Sequence, residues 1–140
     1  MKTLDKKALL TRQAIKVVPV ELDNGEGVYV RSMMAFEKDL FEQSLRKEVK
    51  NEKGETDFVL SLGNFRAKLA VNTICDEKGV LLFSPEDYMD LAKNMLASRL
   101  EKIVDEAQKL NAITEKDKEA IIKNSGAGET GNSSLDSAEN

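Results

Sequence analysis

The residues able to do chemistry are few: the chain has one cysteine, Cys75, and no histidine. A thiol nucleophile needs a base beside it, and zinc or non-haem iron needs imidazoles or several thiolates, so neither kind of site is expected. Cys75 is therefore expected to act as a small buried apolar residue. Carboxylates are plentiful but interleaved with lysines, as in Glu37-Lys38-Asp39 and Asp76-Glu77-Lys78, a pattern of solvated helix faces rather than of a catalytic acid pair. Gly25, Gly27, Gly54, Gly63 and Gly79 form neither a lysine-containing phosphate loop nor a dinucleotide fingerprint. The chain is read as a non-enzyme, with no catalytic, cofactor-binding or metal-ligating residues and no cofactor.

What remains is chemistry of contact. Four of the five methionines, Met33, Met34, Met89 and Met95, precede or enter helices in a chain without tryptophan. Methionine is flexible and polarisable and suits surfaces that accept varied apolar helices, although it also fills cores. These four are the candidate partner-binding residues.

The bulk numbers agree with a binding protein of one domain. A chain of 140 residues can bury a real core, and 41% apolar with 33% charged residues is a globular composition with a heavily charged surface. Of the net charge of −4, three negative charges sit on Glu129, Asp136 and Glu139, beyond the last cation, Lys123. With no basic excess, nucleic acid is not an expected partner. No apolar run reaches the length of a membrane span, and the opening Met1-Lys2-Thr3-Leu4-Asp5-Lys6-Lys7 lacks the hydrophobic stretch of a secretory signal. A cytosolic protein with no membrane partner is expected.

The elements that must position these residues read as α+β, mostly α: an N-terminal β-hairpin packed on a small helical bundle, followed by a flexible tail. Thr3 can cap a short helix from Leu4. Residues 15–22 and 28–31 are β-branched and alternate around the turn cluster Asp23-Asn24-Gly25-Glu26-Gly27, which predicts a hairpin whose Pro19, lacking an N–H, faces an open edge. From Ala35 to Val49 the period becomes helical, with Phe36, Leu40, Phe41, Leu45 and Val49 on one broad face. Residues 57–62 fit a strand or a helical turn equally.

Asn64 can cap a second helix whose stripe is Ala67, Ala70, Val71, Ile74 and Cys75, and Val80 to Phe83 reads as an extended run entering the core. Ser84-Pro85-Glu86-Asp87 starts a short helix through Lys93. Leu96, Leu100, Ile103, Ala107 and Leu110 form the seam of the longest helix, and Thr114 caps a last one that stops near Asn124. Residues 1–124 are thus assigned to one domain, and 125–140, rich in glycine, serine and acids, to a disordered tail.

Several strings resemble the tail assembly chaperones of long, non-contractile-tailed phages and related prophages. Val30-Arg31-Ser32-Met33-Met34-Ala35-Phe36-Glu37-Lys38-Asp39-Leu40-Phe41 is similar to that family's strand end and following helix, with Met34 where a threonine cap is common. Asn64 to Leu69, Cys75 to Gly79 and Leu82 to Ser84 resemble its Arg-Ala helix, acidic-glycine turn and capped short helix, and Ala107 to Asp117 its Leu-Asn-x-Leu-Thr-Glu ending. The resemblance spans about residues 15–124. It implies binding of the tape measure protein, which is kept soluble while the tail tube protein polymerises around it, the latter engaged through a longer frameshifted product. It further implies action in the host cytoplasm and absence from the mature virion. A structural virion component, such as a tail-completion or connector protein, is the alternative, and self-association is left open.

Overall fold

The computed structural model describes residues 1–60, 64–114 and 116. Their fold is mixed α+β, as the sequence implied. The expected last helix after Thr114, apart from Lys116, and the tail 125–140 lie outside the described residues.

Helix α1 (Lys6–Leu10) is capped by Asp5 rather than Thr3: the Ala8 N–H donates to Asp5 Oδ1 at 2.9 Å. Strands β1 (Val17–Glu21) and β2 (Gly27–Arg31) form the expected antiparallel hairpin, with Val18 opposite Val30 and Val20 opposite Val28. The Leu22 N–H donates to Glu26 O, and the Ser32 N–H to Lys16 O. Because antiparallel bonding alternates, the even-numbered residues of β1 bond inward, so Val17, Pro19 and Glu21 face outward. Pro19 therefore stands on the open edge of a three-stranded sheet in which β2 is the middle strand.

Helix α2 (Ala35–Ser44) ends five residues earlier than the periodicity predicts. Arg46–Lys50 is strand β3, paired antiparallel with β4 (Thr56–Leu60), so Val49 lies opposite Asp57 and does not continue the helix. This also settles residues 56–60 as strand; 61–63 lie outside the described residues. Helix α3 (Phe65–Val71) is likewise shorter than its stripe. Ile74 and Cys75 form β5 and pair with Val30 and Tyr29 of β2. Both are buried as expected, but through sheet pairing rather than a helix face.

Val80 to Phe83 does not enter the core as a run. Leu81 bridges to Cys75 and Phe83 packs on the core, whereas Val80 and Leu82 point to solvent. The predicted helix start at Ser84 is present: Pro85–Asp87 is one 3₁₀ turn leading into α4 (Tyr88–Asn94), with the Ser84 N–H donating to Asp87 Oδ2 at 3.0 Å. Helix α5 (Ala97–Leu110) buries Leu100, Ile103, Val104 and Ala107. Leu96 is its N-cap, not part of its seam, and is 67% exposed. The core lies where α3, α5 and the inner face of the β1-β2-β5 sheet meet, around Val30, Leu69, Val71, Ile74 and Ile103.

Candidate functional site

Helix α2 sits where β2 hands the chain to the second hairpin. Its start is held by Glu37, whose Oε1 accepts the Met34 N–H at 2.8 Å; methionine has no oxygen to return the bond, so this is half of a capping box. Inward, Phe41 meets the Phe65 ring at 5.7 Å between centroids and 59° between planes, and Leu45 is fully buried. The end of α2 is tied down by Lys68, whose Nζ donates to Ser44 O at 2.7 Å and stands 4.9 Å from the centre of the Tyr88 ring.

Outward, the helix is apolar too. Phe36 is 72% and Leu40 48% exposed, and their spacing of four places them one turn apart on one face. Asp39, three residues after Phe36, is exposed beside them. The single broad apolar face expected from sequence is thus divided: Phe41 and Leu45 go into the core, while Phe36 and Leu40 do not. Sequence periodicity missed this because 3.6-residue spacing reports which residues are near one another on the cylinder, not which side of a wide stripe meets the core.

The four methionines differ in exposure. Met33 and Met95 are half-buried and pack on the core, and the Met33 N–H donates to Asn111 Oδ1 at 2.6 Å. Met34 is the half-buried N-cap of α2, immediately before its apolar face. Met89, on α4, is 39% exposed.

Behind α2 lies a buried cation. Arg31 is 7% exposed; its Nη1 donates to Gly79 O at 2.9 Å and its Nη2 pairs with Glu37. Gly79 has φ +89°, a conformation that favours glycine, and a Cβ there would have to displace the end of the Ile15 side chain. Burial raises the Cys75 thiol above its ordinary pKa, with Arg31 opposing and Asp76 adding to that shift. This favours the unreactive thiol form.

Next to Phe65, α3 and α5 border an open groove of about 630 Å³, lined in part by Phe65, Ala92, Leu100 and Val104 and crossed by an Arg66–Glu101 ion pair at 3.7 Å. Among the described residues, no group of three or more His, Cys, Asp or Glu could hold a metal ion, and no helix is long and apolar enough to cross a membrane. No family model, curated protein or solved structure matches the chain. The arrangement able to act on a partner is the α2 face, which offers desolvatable apolar surface beside a carboxylate.

Proposed function

We propose that this chain is a tail assembly chaperone that binds the tape measure protein, keeps it soluble and supports tail tube polymerisation around it. The observation that carries the reading is the outward face of α2, where Phe36 and Leu40 stand exposed one turn apart on a helix anchored from behind by Phe41 and Leu45. Such a face pairs with the apolar stripe of an amphipathic helix, the form in which a long helical client presents its aggregation-prone surface. The strings from Val30 to Phe41, which resemble the family, include this same helix. Met34 and Met89 supply adaptable apolar contacts at the surface, whereas Met33 and Met95 support the fold beneath it. The tail tube protein would be engaged through a longer frameshifted product, and the work would be done in the host cytoplasm.

Co-expression with the tape measure protein tests this reading. The wild-type chain is expected to co-purify with the client and raise its soluble yield, and the double variant Phe36→Asp, Leu40→Asp to do neither. If the wild type forms no complex with the client and persists in purified virions, the chaperone reading fails and a structural virion role takes its place.

A further inference from the structure

Helix α5 ends in a reversal. Ala112 takes a left-handed φ of +55°, its N–H donates to Lys109 O at 3.3 Å, and the Ile113 N–H donates to Gln108 O at 2.8 Å. This pair of bonds is a Schellman turn, and Ile113, the residue that such a turn tucks inward, is buried. The chain then runs back beside the helix it has just left, because Thr114 lines one hollow together with Asp105 and Gln108.

Asp105 and Gln108 also line the groove between α3 and α5, so hollow and groove are continuous. With Glu101 they fall at i, i+4 and i+7, on one face of α5. The residues after Thr114 are thus directed along that face toward Glu101, antiparallel to α5. The groove floor there is apolar, with Phe65, Leu100 and Val104, and its rim of Arg66, Glu101 and Asp105 carries one net negative charge. The Arg66–Glu101 pair that crosses it is exposed at both ends, so it swings aside at little cost.

The sequence beyond Thr114 matches this groove in length, polarity and charge. At helical spacing Asp117, Ile121 and Asn124 share a face, with Lys118 beside it and Ala120 and Ile122 on its flanks. Residues 117–124 would rise about 12 Å as a helix, and Gln108 to Glu101 spans about 10 Å along α5. With Asp117 level with Gln108, Ile121 comes level with Val104 and Asn124 with Glu101. Lys118 then stands near Asp105.

We propose that residues 117–124 dock in the α3–α5 groove of their own chain, as a helix antiparallel to α5 with Ile121 over Val104. The groove is then closed to any other helix. Phe36 and Leu40 do not line it, so the α2 face proposed above for the client stays open, and the two proposals fail separately.

Cysteine cross-linking and hydrogen exchange on the full-length chain test the contact. In a Cys75→Ala background, Glu101→Cys combined with Asn124→Cys is expected to close an intramolecular disulfide under mild oxidation, since docking brings the two positions level. The control pair Asp39→Cys and Asn124→Cys stays reduced. In the wild type, the amides of residues 120–124 exchange at least about tenfold more slowly than in Ile121→Asp, which cannot seat a charge on the apolar floor. Should Ile121→Asp fail to fold, the disulfide and the wild-type exchange rates decide alone. A Glu101–Asn124 pair that oxidises no faster than the control overturns the proposal, as do wild-type amides that exchange at unprotected-peptide rates. A disulfide that links two chains instead of closing within one would place the segment in a neighbour's groove and overturn it as well.

Discussion

Arg31 on β2 and Glu37 on α2 form an ion pair across the junction between sheet and helix, and the same guanidinium donates to Gly79 O at 2.9 Å. One buried cation thus joins the hairpin, the start of α2 and the turn after β5. Among the described residues the Arg31 Nε is buried without a hydrogen-bond partner, so the charge depends heavily on Glu37.

Glu37→Ala is accordingly expected to destabilise the domain by about 3 kcal/mol, since it leaves a buried charge without its counter-charge. Glu37→Gln keeps an acceptor and should cost about half as much. Urea midpoints at constant m-value measure both. A shift under about 0.5 kcal/mol for the alanine variant would show that Arg31 is solvated and the junction is held by something else.

Cys75 is buried at the pairing of β5 with β2, and burial holds its thiol protonated. A thiol reagent is expected to label it slowly in native buffer and fast in denaturant. Cys75→Ala should cost about 1 kcal/mol, and Cys75→Ser more, because a buried hydroxyl needs a partner that an S–H does not. Labelling at equal rates in the two conditions would contradict the burial.

The fold was legible where one segment carries its own signal. Alternating β-branched residues on either side of Asp23 to Gly27 specify the first hairpin, and Ser84-Pro85 specifies the start leading into α4. It was not legible where a segment's state depends on a distant partner. Val49 falls at helical spacing from Phe41 and Leu45, and Arg46-Lys47-Glu48-Val49-Lys50 has too little alternation to announce a strand; only pairing with residues 56–60 makes it one. Ile74 and Cys75 complete a helical stripe on paper, but the free edge of β2 recruits them as a third strand. The α2 face was half legible: Phe36 and Leu40 stand at apolar helical positions in the sequence, while their exposure follows from where Phe65 meets Phe41.

Arg99 on α5 bonds Asp23 and Glu26 in the turn between β1 and β2, and the Arg99 hydrogen bond is the chief cause that holds Asp23 below the usual carboxylate pKa. Asp76 is held down as well, chiefly by the Val80 N–H. For both groups the native pKa lies below the unfolded one. Their contribution is therefore fully present above the unfolded value of about 3.9 and is lost as pH falls through the lower native value. Asp23→Asn and Asp76→Asn should each make stability fall less steeply below about pH 4. Denaturant midpoints followed through the acid range test this; slopes identical to wild type would show that neither carboxylate is linked to folding.

Phe36 and Phe41 lie five positions apart on one helix with opposite surroundings, 72% and 2% exposed. Phe41→Ala removes a ring packed on Phe65 and is expected to cost about 3–5 kcal/mol. Phe36→Ala leaves no cavity, since most of that ring already touches water, and should change stability by no more than about 0.5 kcal/mol. Its effect should instead appear in binding, weakening client capture on the α2 face. A denaturation series on both variants, run beside client pull-down, separates the two roles. If Phe36→Ala destabilises the chain as much as Phe41→Ala, its ring is part of the core and the α2 face is not free to bind.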